Sequence, residues 1–335
     1  MLYYNINMIY SDYKQYAIET SIGLQDVDHL KNSDYFLSLT NQYIKGEISL
    51  NQLDDLITSY YKSKPDDNSR VKETDIASNN MLNIFMSNNK FELSVKHFCD
   101  IHRKIFEGVF DHPGAMRTYN IQKSEWVLDG DTVVYGDYRS LYDTISYDLQ
   151  AEKDFDYEGL TIDEKIKHLA QFVANIWQNH IFSEGNTRTV SIFFIQYLNS
   201  LGFNVTNDAF AANAWYFRNC LVRANYSNYE KHIEEDKSYL IRFLRNLLLG
   251  ENNRLLNREL HIKYGIHLDK TKELSNNEKH VIDLVKHNPS IKTDDIAKYL
   301  NVSVRTVKSI LQALKEMKLI KRIDGKRYGY WKVLD

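Results

Sequence analysis

The sequence predicts a mainly helical protein in three parts, on three observations. Only 3 Pro and 13 Gly interrupt 335 residues. Apolar residues recur at three- and four-residue intervals through most of the chain, the spacing of a helix with one buried face. Two short stretches break that pattern, near 126–135 and 319–333, and each carries an Asp-Gly turn between β-favouring residues, the mark of a hairpin.

The first part, 1–62, reads as helices with a turn at Lys45-Gly46-Glu47 and a second amphipathic run through Leu50, Leu53, Leu56 and Ile57. A polar stretch broken by proline, Ser63-Lys64-Pro65-Asp66-Asp67-Asn68-Ser69, reads as a linker. The middle part, 70–250, is helical apart from a hairpin over Trp126-Val127-Leu128 and Thr132-Val133-Val134-Tyr135, turned at Asp129-Gly130. Ile166, Leu169, Ala170, Val173, Ile176 and Trp177 then face inward from a helix that should end just before His180. Val190, Ile192, Phe193, Phe194, Ile195, Tyr197 and Leu198 are apolar almost all round, which marks a central buried helix stopped near Gly202. The third part, 272–335, opens on a capping-box pair, Ser275 and Glu278. Helices over 276–287, 293–300 and 304–317 follow, then a strand pair at 319–323 and 328–333 turned at Asp324-Gly325. Three helices and a hairpin in that order predict a winged helix-turn-helix.

At 43% hydrophobic, the chain can bury a core in each of two or three domains. No apolar run is long enough to span a bilayer and the amino terminus does not read as a signal peptide, so the expectation is a cytoplasmic protein without a membrane partner. Two cysteines, Cys99 and Cys220, give neither a disulfide framework nor metal spacing. The net charge of −3 is unevenly spread. From Ser275 onward 13 Lys and Arg stand against 7 Asp and Glu, so one end is basic while the remainder is acidic.

The chemistry concentrates in His180-Ile181-Phe182-Ser183-Glu184-Gly185-Asn186-Thr187-Arg188. A histidine accepts a proton near neutral pH, a glutamate can hold a divalent cation, and an arginine can clamp phosphate. A Gly-Asn turn opening a buried helix adds backbone N–H groups aimed at an anion. Each residue alone has a bland reading as a cap, a turn or a surface cation; their convergence points to a nucleoside-triphosphate site with a base beside it.

This segment resembles the core motif of the Fic family, enzymes that move part of a nucleotide, most often AMP from ATP, onto a protein hydroxyl. The resemblance spans about 70–250 and includes the hairpin and Gly114-Ala115-Met116-Arg117 before it. It implies His180 as general base, Glu184 holding Mg²⁺, and Glu184, Gly185, Asn186, Thr187 and Arg188 binding nucleotide. Arg188 would offset charge on the leaving pyrophosphate, and Phe182 would anchor the loop in the core. Tyr216 and Asn219 would line the base and ribose pocket. A flap of Trp126, Val127, Leu128, Val133 and Val134 would dock an extended target segment by strand addition. Two positions depart from fuller motifs: Ile181 follows the histidine in place of proline, and Ser191 replaces a second arginine that reaches the γ-phosphate. Residues 1–62 resemble, through Tyr43-Ile44-Lys45-Gly46-Glu47-Ile48, the antitoxin modules that partner Fic domains. Those modules carry an inhibitory glutamate four residues after Ser or Thr and before Gly or Asn, a pattern this chain lacks; Glu19, in a suitable region, follows Gln15. Glutamate switching is therefore expected to be degenerate, with control left to oligomerisation or DNA binding.

In the basic part, 304–317 is the expected recognition helix. Arg305, Thr306 and Lys308 would reach DNA from its start, and Lys326 and Arg327 from the wing. The combined expectation is an AMP-transferring enzyme with ATP and Mg²⁺, a protein target that includes the chain itself, and DNA as a second partner, with a homo-oligomer allowed. A nucleotide-sensing transcription regulator with an idle site, or an enzyme that removes AMP, uses the same residues.

Overall fold

A computed structural model describes residues 2–64, 69–87, 90–205, 208–264, 274–316, 319–323 and 329–334. Proline and its acidic neighbours in the expected linker (65–68), the wing turn at Asp324-Gly325, and Lys326 and Arg327 lie outside them. The chain divides into two compact units, Met1–His261 and Ile262–Asp335.

The first unit is helical: α1 (Leu2–Gly23), α2 (Asp34–Lys45), α3 (Leu50–Lys62), α4 (Arg70–Met86), α5 (Val95–Phe106), α6 (Leu141–Lys153), α7 (Ile162–Asn179), α8 (Asn186–Ser200), α9 (Ala209–Ala224), α10 (Ser238–Leu249) and the short α11 (Asn257–Leu260). Side-chain caps start several of them: Ser33, Ser49, Ser69, Ser94 and Thr161 each accept a backbone N–H of the first turn. Helix α8 runs through the core of the unit. Every residue from Asn186 to Ile195 is buried, as expected for a helix apolar on all sides.

The first 62 residues pack into this same unit. Gly23 closes α1 so tightly on α9 that an added Cβ would lie 2.3 Å from the Ala211 carbonyl oxygen. Buried Asp75 of α4 then ties the region together, accepting from Ser33, Asn32 and the Tyr61 hydroxyl. Between α1 and α2 a 3₁₀ turn, Leu24–Asp28, packs on α8 and α9, with Leu24, Gln25 and Val27 buried.

The expected hairpin over 126–135 does not form. Trp126–Leu128 is a 3₁₀ turn, followed by Asp129 at φ 57° and Gly130 at φ 90°. The chain does reverse there, with the Glu125 N–H donating to Asp131 O at 2.9 Å, but no ladder continues. The reason is burial: adjacent Val127 and Leu128 both point into the core, which alternating strand geometry forbids.

The second unit contains α12 (Asn276–His287), α13 (Thr293–Leu300), α14 (Val304–Glu316) and the antiparallel pair β1 (Ile320–Ile323) and β2 (Tyr330–Val333), in register Ile320 with Val333 through Ile323 with Tyr330. Val281, Val285, Ile296, Val307, Leu311, Leu314 and Ile320 form its core. The winged-helix order of three helices and a two-stranded wing is thus the order seen.

Candidate functional site

His180 sits at the end of α7 and closes it in the left-handed region, at φ 46° and ψ 53°. That conformation is costly for a residue with a Cβ and persists only where neighbours enforce it. Here Arg117 enforces it. This guanidinium is buried and faces backbone: it donates to the carbonyls of His180 (2.8 Å), Asn179 (3.3 Å), Tyr119 (2.6 Å) and Gly136. One side chain therefore fastens both ends of the 119–136 loop to the end of α7. The Arg117 N–H also donates to Ile181 O at 2.8 Å.

The imidazole of His180 is buried against Tyr135, ring centroids 4.3 Å apart, and Trp177, at 5.0 Å. Its Nδ1 lies 3.2 Å from the Trp177 carbonyl, an acceptor, so Nδ1 carries the hydrogen and Nε2 keeps a lone pair. Burial pushes this imidazole well below the ordinary histidine range, and the positive charges of Lys123, Arg218 and Arg117 add to it against the Trp177 carbonyl. It is therefore neutral at physiological pH, with its hydrogen on Nδ1 and its lone pair on Nε2.

The following turn is built by Asn186, whose amide accepts from Phe182 N (2.9 Å) and donates to Phe182 O (2.7 Å). Phe182 is buried and stacks on His102, centroids 3.8 Å apart. His102 accepts the Gly114 N–H at Nδ1 (2.7 Å), so its Nε2 donates to Glu184 O (3.1 Å). Gly185 is at φ 75° and lies on Phe106, where a Cβ would approach Cε2 to 2.2 Å. Only glycine fits. It caps α8 with no side-chain bond to that helix's first N–H groups, so these donors have no side-chain acceptor at the turn that follows His180.

The other expected residues divide. Glu184 is exposed and pairs with Lys123 at 3.6 Å. Among the described residues no cluster of three or more His, Cys, Asp or Glu could hold a metal unaided. A single exposed carboxylate fits Mg²⁺, which is commonly held by one or two carboxylates plus substrate phosphates. Thr187 is buried with its hydroxyl taken by Trp177 Nε1 (2.9 Å), and Ser191 spends its hydroxyl on Thr187 O (2.8 Å). Tyr216 and Asn219 face the core, both 1% exposed, with Asn219 bonded to Asn257, so neither lines an open pocket. The open face of α9 lies about a hundred degrees round the helix. There Trp215 and Arg218 line a cavity of about 420 Å³ with His29, Ser124, Glu125 and Trp126. His29 and Trp215 rings lie 4.1 Å apart, and Arg218 holds buried Glu125 through two bonds, 2.6 and 3.0 Å. Glu125 in turn accepts from the Tyr135 hydroxyl (3.1 Å), which connects this cavity to His180. Of the expected flap, Val127, Leu128 and Val133 are core residues, while Trp126 (50% exposed) and Val134 (81%) remain at the surface.

Arg188 is 1% exposed and turned toward the N-terminal region. It donates to Gln25 (3.0 Å) and Glu73 (3.0 Å), lies 3.1 Å from Asp28, and covers the Phe106 ring at 4.7 Å. An acidic hold on the motif arginine was not expected from the sequence. Its glutamate is Glu73, four residues after Ser69 but followed by Thr74, whereas Glu19 is exposed and accepts from Gln15 (2.8 Å).

In the second unit, Ser303 caps α14 by accepting Thr306 N (3.1 Å). Arg305, Thr306 and Lys308 are exposed together on its outer face, opposite buried Val307, Leu311 and Leu314. The Thr306 hydroxyl is engaged with Ser303 (2.8 Å).

No helix of the described residues is long and apolar enough to cross a membrane. No curated protein matches the chain. Among solved structures, a Fic family protein from Desulfovibrio desulfuricans G20 is 12% identical, with a TM-score of 0.42 over 96% of this chain and 87% of that one. The type IV secretion system effector protein BepA is 18% identical, with a TM-score of 0.40 over 61% and 67%. Residues 92–198 match the family model of the Fic/DOC family, and residues 278–324 that of the M protein trans-acting positive regulator (MGA) HTH domain. Residues 92–198, which include His180, thus form a Fic/DOC domain, and the second unit contains a helix-turn-helix domain.

Proposed function

We propose that the chain transfers AMP from ATP to a Ser, Thr or Tyr hydroxyl of a protein. The observation that carries this reading is the pairing of a neutral, tautomer-fixed His180 with the uncapped N-terminus of α8. Nε2 accepts the hydroxyl proton as the oxygen bonds to the α-phosphorus and the bond to pyrophosphate breaks. The N–H groups at Gly185 and Asn186 hold the phosphate oxygens, and Asn186 fixes the turn that presents them. Mg²⁺ held by Glu184 would offset phosphate charge. The cavity lined by Trp126, Trp215 and His29 has the size and the aromatic lining for a purine ring. The outer face of α14 would bind DNA through Arg305 and Lys308, with the wing beside it.

The Arg188 clamp favours a second reading, a DNA-binding regulator that senses nucleotide with little turnover. With Arg188 committed to Gln25, Asp28 and Glu73, one phosphate-binding cation is withheld from the site.

Incubation with α-labelled ATP and Mg²⁺, wild type beside His180→Ala, followed by intact mass, separates the two. Added AMP on a protein in the wild-type reaction alone supports transfer; equal labelling by the variant refutes His180 as base. Saturable nucleotide binding without label, in cell extract as well as with pure protein, supports the sensor. DNA affinity measured by fluorescence anisotropy is expected to be the same for His180→Ala, since that site lies in the other unit.

A further inference from the structure

Among the described residues, Arg117, Arg218, Arg188 and Lys123 are candidate cations for a polyphosphate at this site, and the three arginines are already committed. Arg117 is spent on backbone carbonyls. Arg218 is locked to buried Glu125 by two bonds. Arg188 is buried under Gln25, Asp28 and Glu73. Ser191, in the next turn of α8, carries no charge and is fully buried.

Lys123 is different in each respect. Its side chain is 27% exposed, and its ion-pair partner is the exposed carboxylate of Glu184, at a loose 3.6 Å. Its backbone N–H donates to the Thr132 hydroxyl (3.2 Å), which fixes the point from which the side chain leaves the loop. Its pairing with Glu184 places the ammonium at the motif turn, and its charge also acts on His180.

We infer that Lys123 is the cation that receives the polyphosphate chain, exchanging Glu184 for phosphate oxygens. The inference rests on the reading of this site as a nucleotide site, and it assigns to a loop lysine the charge that Ser191 cannot supply. Four bonds of flexible stem let an ammonium make that exchange without moving the backbone. Whatever draws Glu184 away leaves Lys123 unpaired beside an anion position, so carboxylate and ammonium change partners together.

The test is equilibrium binding of inorganic tripolyphosphate and, separately, of adenosine, to wild type, Lys123→Met and Lys123→Arg. Loss of one charge-assisted bond corresponds to about a tenfold change. Lys123→Met is therefore expected to bind tripolyphosphate about tenfold more weakly, with Lys123→Arg restoring most of it and adenosine unaffected by either. Unchanged melting temperatures exclude a folding defect, as expected for a side chain at the loop surface. Equal tripolyphosphate affinity in Lys123→Met and wild type, or no tripolyphosphate binding by wild type, overturns the inference. Lys123-dependent tripolyphosphate binding in a protein that transfers no AMP sustains it and refutes the transferase reading instead. AMP transfer with the same KM for ATP in Lys123→Met leaves that reading standing and removes Lys123 from it.

Discussion

Acid should unfold this protein partly through His102, and the size of the effect can be worked from its surroundings. The ring is 3% exposed, stacked on Phe182, tilted against Phe106, and bonded at both nitrogens to backbone. Burial lowers its pKa to about 4, against the opposing pull of the Glu184 carbonyl and with a smaller contribution from Arg188. In the unfolded chain the same ring titrates near 6.5. Between those values the unfolded state binds a proton that the folded state refuses, so stability present above pH 6.5 is lost as pH falls toward 4. At 1.36 kcal/mol per unit the loss from this one group is about 3 kcal/mol. His102→Gln isolates it: an amide can accept from Gly114 N–H and donate to Glu184 O but does not titrate in this range. Urea unfolding of both proteins at pH 7, 6, 5 and 4.5 gives two stability curves in which every other group is shared. The variant is expected to start lower, having lost the ring stacking, and to fall less steeply below pH 6.5. Parallel curves would refute the assignment of His102 as a buried neutral base.

Two further outcomes follow from the same site. Gly185→Ala must push a methyl into Phe106 and hold φ near 75° with a Cβ, a combined cost of about 2–5 kcal/mol, read as a lowered denaturation midpoint; making the change in a Phe106→Leu background should recover the steric share. Arg188→Met leaves Glu73 and Asp28 facing each other without their cation and should cost about 3 kcal/mol of stability in urea. That is the low end for a broken buried pair, because Asp28 retains some solvent and Arg70 still pairs with Glu73 at 3.0 Å.

Helical periodicity made the architecture legible. The buried α8, the end of α7 before His180, and the helix order and wing of the second unit all follow from which positions repeat as apolar. The family of the motif turn was legible because its residues are consecutive. What escaped depends on contacts between distant positions. Gln25 and Arg188 are 163 residues apart, and Glu73 lies 115 before that arginine. No local spacing encodes either contact. The loop at 120–136 misled because β-favouring residues and an Asp-Gly turn describe a hairpin whether or not the core claims both Val127 and Leu128. Tyr216 and Asn219 lie on the buried face of their aromatic helix, and the cavity is lined from its other face, by Trp215 and Arg218. The cue lay in the same run of residues: Arg218 sits three positions from Trp215, one turn apart, and so shares its face.

The partners of Arg188 also say where this protein can be cut. Two of its three polar partners, Gln25 and Asp28, lie in a stretch that the motif alone would treat as dispensable. A chain trimmed to begin at residue 62 would keep His180, Glu184 and the whole helix α8. It would also strip the cover from a guanidinium now 1% exposed and expose the face of α9 against which Gly23 is pressed. The shortest piece carrying the motif and the smallest piece that folds as this unit are therefore different lengths of chain.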